Sequence, residues 1–206
     1  MKRNTGRTLF AAIAAAVAVL APASPASAGV ITQSATDCPT YATSKIFSRW
    51  LDPFNYALAP GGDFESSAGL TFTGGAKLVS GNESSYVSGS SHRFSALIPR
   101  GGTVMTAPMC IGLINPTLRF FARRPGFALL PLMTVEGVYK DKRGATRSLP
   151  LVGVPLAGSN WSLQLPFVVT GALLELGDKT MMQFRFRAVL GDWQIDDVYV
   201  DPMRNR

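Results

Sequence analysis

The sequence has few of the residues on which most metal and catalytic sites depend. Its 206 residues include 1 His and 2 Cys, and only 16% are charged. This scarcity excludes most zinc sites, haem motifs and histidine proton relays, and it argues against a Ser-His-Asp hydrolase. With 47% hydrophobic residues, the chain has enough apolar surface to argue against intrinsic disorder.

The sequence also lacks an apolar run long enough to cross a membrane. Leu9 to Leu20 is unbroken for 12 residues, whereas a helix that spans a bilayer needs about 20. Lys2, Arg3 and Arg7 precede this run and Ala26-Ser27-Ala28 follows it, an arrangement typical of a signal peptide over residues 1–28. We therefore expect a secreted, extracellular protein without a membrane span after cleavage. An uncleaved membrane anchor is the alternative.

The positive charge of the chain lies partly in that segment. Removing its three cations lowers the Lys+Arg count from 20 to 17 against 13 acidic residues, so the net charge falls from +7 to +4. A protein that follows nucleic-acid phosphates needs a clustered basic stripe as well as net charge. We therefore expect no nucleic-acid partner.

The two cysteines, Cys38 and Cys110, are far apart in the sequence. Export to an oxidising compartment favours a disulfide between them. Two free buried thiols are the alternative.

Residues 29–60 are predicted to form an irregular leader. Its start is rich in Ser, Thr and Ala, and a short apolar pattern at helical spacing follows. The pattern predicts one short helix that covers an edge of the core. Its residues are Ile46, Phe47, Trp50, Leu51 and Phe54.

Residues 61–206 alternate short apolar runs with Gly, Pro, Ser and Asn clusters, which predicts one all-β domain. In Met182–Ala188 the apolar and polar residues alternate, so Arg185 and Arg187 should lie opposite the core. Strands with few helices indicate an antiparallel β-sandwich of two sheets. The predicted strands are 70–73, 76–79, 94–98, 103–105, 109–113, 117–122, 130–139, 147–152, 161–165, 182–190 and 194–200.

Two motifs carry a resemblance to a known family. Pro60-Gly61-Gly62-Asp63-Phe64-Glu65 precedes the first strands, and Trp193-Gln194-Ile195-Asp196-Asp197-Val198-Tyr199-Val200 ends the domain. Between them lies Thr117-Leu118-Arg119-Phe120-Phe121-Ala122-Arg123. In this order the motifs resemble the galactose-binding-like β-jelly-roll family, the fold of many non-catalytic carbohydrate-binding modules.

The resemblance implies a structural Ca²⁺ that joins the first strand to the last. Glu65 and Asp196 would be its side-chain ligands, with Asp197 as the neighbouring candidate. Ca²⁺ prefers carboxylate and carbonyl oxygens drawn from several loops. Residue parity places Asp196 on the inward face shared by Val198 and Val200. A hydrogen-bonded acidic pair without metal is the alternative.

The resemblance also implies a platform of exposed aromatic rings on which sugar rings stack. The tryptophan that commonly follows the Phe-Glu motif is replaced by Leu70 in this sequence. The remaining candidate ligand-binding residues are Tyr86, Trp161, Trp50 and Tyr56. Tyr86 lies in a polar loop, and Trp161 follows Gly158-Ser159-Asn160. For each tryptophan, simple packing is the alternative.

A further expectation concerns the arginines, which could form one basic sheet face able to bind an anionic polymer. They are Arg119, Arg123, Arg124, Arg185 and Arg187.

The predicted function is a secreted, non-catalytic protein that binds carbohydrate or a cell-envelope polysaccharide through surface aromatics. The alternative is a structural or adhesive envelope protein that uses the jelly roll as a scaffold. No catalytic residues are predicted.

Overall fold

The computed structural model describes residues 35–112, 117–155, 157–169 and 179–201. The predicted signal peptide lies outside these ranges. Within them, no helix is long and apolar enough to cross a membrane. The predicted leader helix is reduced to one 3₁₀ turn, Ser48–Trp50, because Leu51 ends it in the left-handed region at φ 60°.

The described residues otherwise form short antiparallel strands. The sequence predicts all of them except β1 and β11. They are β1 (Ala57–Leu58), β2 (Thr71–Thr73), β3 (Lys77–Ser80), β4 (Phe94–Ile98), β5 (Thr103–Met105), β6 (Met109–Gly112), β7 (Thr117–Arg123), β8 (Leu132–Lys140), β9 (Thr146–Val154), β10 (Ser162–Leu163), β11 (Phe167–Val168), β12 (Lys179–Leu190) and β13 (Trp193–Val200).

The strands build two sheets, so the predicted all-β sandwich is confirmed. One sheet has seven strands in the order β10-β7-β13-β4-β3, with β1 paired to β13 and β11 paired to β7. The other has six strands in the order β2-β5-β12-β8-β9, with β6 also paired to β12. The central strand is therefore β13 in the seven-stranded sheet and β12 in the six-stranded sheet.

The alternation in β12 accounts for the packing of the sheets. Met182, Phe184 and Phe186 are fully buried between them. Phe186 meets Phe120 of the opposite sheet edge to face, with ring centroids 5.0 Å apart. Arg185, as predicted, lies on the outer face of the six-stranded sheet.

The leader packs on the outer face of the seven-stranded sheet and adds β1 to that sheet. Its Phe47 and Tyr56 form a buried cluster with Phe121 of β7 and Tyr199 of β13. We call these four residues the leader cluster. Because the leader and the loop between β3 and β4 cover one face of β13 and the core covers the other, every residue of that strand is buried.

A buried ion pair fixes the leader beneath this cluster. Asp52 Oδ2 accepts hydrogen bonds from Arg119 Nη1 at 2.6 Å and from the Tyr56 hydroxyl at 2.8 Å. Arg119 Nε also donates to the Gln164 carbonyl at 3.1 Å. Both charged side chains are 8% exposed. The leader is therefore an integral part of the fold.

A β-bulge in β13 changes the predicted direction of the acidic side chains. The pairing of β13 with β7 shifts register between Asp196 and Tyr199. Ile195 and Val198 both enter the core although they are three residues apart, so one extra residue stands between them. Asp197 adopts the left-handed region at φ 51°. The parity argument that placed Asp196 on the face of Val198 is therefore wrong.

The disulfide joins Cys38 in the leader to Cys110 in β6, as the sequence predicts. Their Cα atoms are 5.6 Å apart, within the usual range for a disulfide.

Candidate functional site

The outer face of the six-stranded sheet carries a polar groove with a volume of about 400 Å³. Its side chains come from β2, β5, β8 and β12, which are neighbours in the sheet. We call this feature the outer groove. It is lined by Thr71, Thr73, Gly101, Thr103, Met105, Glu136, Arg185 and Arg187.

Strand register arranges these side chains in two rows across the sheet. Every second residue of a strand faces the same side, so the two rows are one step of two residues apart. One row contains Thr73, Thr103 and Arg187, each opposite the next in register, and Thr134 of β8, opposite Arg187, continues this row outside the residues that line the groove. The other row contains Thr71, Met105, Arg185 and Glu136.

The two arginines of the outer groove differ in their partners. Arg185 donates from Nε to Glu136 Oε2 at 3.0 Å, and its Nη2 donates to the same oxygen. Arg187 is exposed, and no carboxylate of the described residues pairs with it. The groove therefore holds one neutralised arginine and one free guanidinium.

The chemistry of the outer groove is hydrogen bonding without stacking. Its lining offers threonine hydroxyls, guanidinium donors and the second oxygen of Glu136, which accepts no hydrogen bond from the described residues. No aromatic side chain is among the residues that line it. Such a surface suits a ligand rich in hydroxyl or anionic groups.

A second cavity of about 440 Å³ lies further along the same face, beside the leader. Met181 and Gln183 of β12 and Val138 and Lys140 of β8 contribute to its wall, together with Asp37.

The predicted aromatic platform is only partly at the surface. Tyr56 is 1% exposed, so its ring is closed to any ligand. Tyr86 is 50% exposed and is the most accessible of the four candidates. Trp50 and Trp161 are partly buried and pack against the leader cluster.

An arginine lies over the ring of each of these tryptophans. The Arg49 guanidinium lies 4.0 Å from the centre of the Trp50 ring, and that of Arg123 lies 4.8 Å from the Trp161 ring. Cation–π contacts of this kind stabilise the rings but cover the surface on which a sugar would stack. Trp50 and Trp161 are thus shielded in this arrangement.

The predicted basic sheet face does not exist as one surface. Arg119 is buried in its pair with Asp52, while Arg123 lies on the seven-stranded sheet beside Gln194. Arg185 and Arg187 lie on the six-stranded sheet. The expectation failed because the strands β7 and β12 belong to different sheets.

The predicted calcium ligands bind backbone N–H groups. Glu65 Oε1 accepts hydrogen bonds from the N–H of Arg93 at 2.7 Å and of Phe94 at 2.8 Å. Asp196 Oδ2 accepts the N–H of Glu83 at 2.8 Å, and its Oδ1 accepts that of Asp197 at 2.9 Å. Both carboxylates thus fasten loops to strands.

Asp197 is the exception among the three predicted ligands. Its Oδ1 accepts a hydrogen bond from Ser88 Oγ, but its Oδ2 is buried and has no hydrogen-bond partner. Asn82 Oδ1 and His92 Nδ1, from the loop that covers the bulge, are also buried without a partner. Asn82 and Asp197 supply oxygen atoms of the type that Ca²⁺ takes.

Burial raises the pKa of both Asp196 and Asp197. Burial and the adjacent Asp197 raise the pKa of Asp196 to about 9. Burial, with the charge of Glu83, raises the pKa of Asp197 to about 7, against the hydrogen bond from Ser88. Among the described residues, no group of three or more His, Cys, Asp or Glu side chains is placed to hold a metal ion. Calcium therefore stays a prediction.

Sequence reasoning missed Glu83, which is fully buried and organises the loop beside the bulge. Its Oε1 accepts the N–H of Val87 at 2.6 Å, and its Oε2 accepts that of Ser85. It also missed the threonines of the outer groove. Thr73 and Thr103 are on separate strands, and only the register brings their hydroxyl oxygens within 2.5 Å.

Comparisons with known proteins give the fold. No protein-family model and no curated protein match the sequence. The N-terminal CBM22-1-CBM22-2 tandem domain from Paenibacillus barcinonensis Xyn10C aligns with a TM-score of 0.50 at 8% identity, over 74% of this chain and 46% of that chain. The CBM22-1 xylan-binding domain from the same protein gives a TM-score of 0.49 at 11% identity, over 70% of this chain and 93% of that chain.

A third solved structure is TmCBM61 in complex with β-1,4-galactotriose, with a TM-score of 0.43 at 16% identity, over 70% of this chain and 95% of that chain. The chain thus spans under half of the tandem domain, the match with the highest of these scores. The predicted β-jelly-roll fold is confirmed.

Proposed function

We propose that this protein binds carbohydrate without catalysis and holds a polysaccharide, free or in a cell envelope, in the outer groove. The observation that supports this proposal is the pair of cross-strand rows of hydroxyl, guanidinium and carboxylate groups. Because these groups stand on rigid strands, they are preorganised and lose little entropy when a ligand binds.

The fold supports the proposal without selecting the surface. Carbohydrate-binding modules share the jelly roll, but a fold alone does not fix a function.

The composition of the groove supports the non-catalytic part of the proposal. A typical glycosidase needs two carboxyl groups on either side of the scissile bond. Glu136 is the one carboxylate among the residues that line the groove, and it is paired with Arg185.

The surface aromatics predicted from the sequence are the second candidate for the binding surface. Tyr86 supports it because half of its side-chain surface is open. Trp161 belongs to the same side of the molecule but is covered on one face by Arg123. The two surfaces lie on opposite sheets, so variants can distinguish them.

Affinity electrophoresis in gels that contain xylan, β-1,4-galactan or polygalacturonate tests the proposal. Replacing Thr73 and Thr103 together with Val removes the two hydroxyls with little change in shape, and we expect weaker binding at an unchanged Tm. The matched control is Tyr86→Ala, which should bind as the parent does.

The outcomes separate the alternatives. Loss of binding in Tyr86→Ala and Trp161→Ala, with the threonine variant unaffected, would move the site to the aromatic surface. A folded protein that binds none of the polysaccharides would overturn the proposal in favour of a scaffold.

We also infer that the protein acts outside the cytoplasm, which the Cys38–Cys110 disulfide supports. N-terminal sequencing of the exported protein should then begin at Gly29. A chain that stays in the cytoplasm and retains Met1 would contradict this inference.

A further inference from the structure

We propose that the ligand of the outer groove is an acidic polysaccharide, in which a carboxylate on a sugar ring pairs with Arg187. This inference rests on the proposed function and specifies the class of sugar that the same groove selects.

The first observation is the free guanidinium of Arg187. Other arginines of the two sheets have acceptors within the protein. Arg119 pairs with Asp52, Arg147 with Asp141 and Arg185 with Glu136. Arg123 donates to the side-chain oxygen of Gln194. Arg187 therefore stands out on its strand as a cation whose donors remain available.

The second observation is the net charge of the groove. Arg185 and Glu136 neutralise each other, since Nε and Nη2 of Arg185 both donate to one oxygen of that carboxylate. Arg187 is then the one uncompensated charge among the lining residues. A carboxylate that enters the groove meets a positive field without a competing acid at its own row. A guanidinium binds such a carboxylate in a bidentate manner and donates two parallel hydrogen bonds to it.

The third observation is the position of the threonines beside this charge. Arg187 is opposite Thr103 on one neighbouring strand and opposite Thr134 on the other. Strands lie about 4.8 Å apart, so a threonine stands beside Arg187 on each neighbouring strand, near the base of its side chain. Ring hydroxyls next to a sugar carboxylate would meet these threonines. This arrangement favours a uronic acid over an acidic peptide.

The fourth observation is that no aromatic ring lines the groove. A neutral sugar presents hydroxyls and an apolar ring face, and without a stacking partner it gains little beyond hydrogen bonds that water also supplies. A charged sugar adds a charge-assisted hydrogen bond, which is about twice as strong as a neutral one. The groove therefore favours acidic over neutral chains.

The test measures the binding of the whole protein to three polymers by isothermal titration calorimetry. Polygalacturonate is the acidic polysaccharide, β-1,4-galactan is the neutral one, and poly-L-glutamate is a polyanion without sugar rings. We expect binding to polygalacturonate that weakens as NaCl is raised. Binding to galactan should be at least about tenfold weaker, and binding to poly-L-glutamate should be weaker still.

The variants separate a specific contact from general charge. Arg187→Gln should raise the Kd for polygalacturonate at least about tenfold, the loss expected for one charge-assisted hydrogen-bonded pair. Its Tm should stay unchanged because Arg187 is exposed and unpaired within the described residues. The matched control is Arg143→Gln in the exposed turn between β8 and β9, which removes the same charge outside the groove and should leave the Kd within about twofold.

Three results would overturn the inference. Galactan bound as tightly as polygalacturonate, with no effect of Arg187→Gln, would remove the acidic ligand but leave the proposed function standing. Poly-L-glutamate bound as tightly as polygalacturonate would show unspecific attraction of polyanions. Failure to bind any polysaccharide would refute the proposed function itself.

Discussion

Replacing Asp52 should detach the leader from the sandwich. This carboxylate accepts hydrogen bonds from Arg119 at 2.6 Å, from the Tyr56 hydroxyl at 2.8 Å and from the N–H of Phe54 at 3.1 Å. Asp52→Ala removes the acceptor oxygens of all three hydrogen bonds and leaves the Arg119 guanidinium buried with the Gln164 carbonyl as its remaining described hydrogen-bond partner.

The size of the effect follows from the burial of the pair. Breaking a buried ion pair by removing one partner typically costs about 3–5 kcal/mol, because the other charge stays desolvated and uncompensated. Both side chains here are 8% exposed, so solvent can screen little of this cost. We therefore expect Asp52→Ala to lower the free energy of unfolding by about 3–5 kcal/mol, or the Tm by roughly 10 °C.

Urea unfolding followed by tryptophan fluorescence measures this loss by linear extrapolation. Arg119→Met retains an apolar stem over Phe47 and removes the charge. The double variant Asp52→Ala/Arg119→Met should recover at least about 2 kcal/mol relative to the sum of the single variants. A loss below about 1 kcal/mol in Asp52→Ala, or strict additivity, would refute the reasoning.

Three further predictions follow from the acidic residues and the disulfide. Because burial raises the pKa of Asp197 to about 7 and that of Asp196 to about 9, their contribution to stability in chelator-treated buffer is greatest below about pH 4 and is lost as pH rises to about 9. Asp197→Asn should reduce the loss of unfolding free energy up to about pH 7, measured by urea titrations at several pH values. A pH profile equal to that of the parent would contradict the raised pKa of Asp197. If Ca²⁺ binds as the family resemblance implies, EDTA should lower the Tm of the parent, and Glu65→Ala should abolish that response; an unchanged Tm in EDTA would remove the metal. Reducing Cys38–Cys110 should cost about 4 kcal/mol in the chain-entropy account, whereas two reactive thiols in the denatured, non-reduced chain would show that no disulfide forms.

The strands were predictable because their sequence carries a period of two. In β12 the alternation places Phe184 and Phe186 in the core and Arg185 outside, and the structure agrees. Parity failed in β13, where the bulge adds one residue between Ile195 and Val198. A bulge depends on the partner strand and the covering loop, so alternation within one strand cannot reveal it.

The groove could not be predicted because it depends on register between distant strands. Thr73, Thr103 and Arg187 come from three separate segments and look like ordinary solvated positions in the sequence. The aromatic candidates were only partly accessible because tertiary packing, which the sequence does not show, decides which rings are exposed. Tyr56 stands in an irregular leader, yet the seven-stranded sheet buries it through tertiary packing.

The central positions of β12 and β13 mean that neither sheet can be completed until the end of synthesis. They are the last two described strands, and each joins neighbours that come much earlier in the sequence. During synthesis, β5 and β8 lack their shared neighbour until β12 is made, and β4 and β7 lack theirs until β13 is made. Until residues 179–200 arrive, those four strands have open edges that can pair with another chain. A chain that stalls before residue 179 is therefore expected to aggregate, even though most of its core residues are already present.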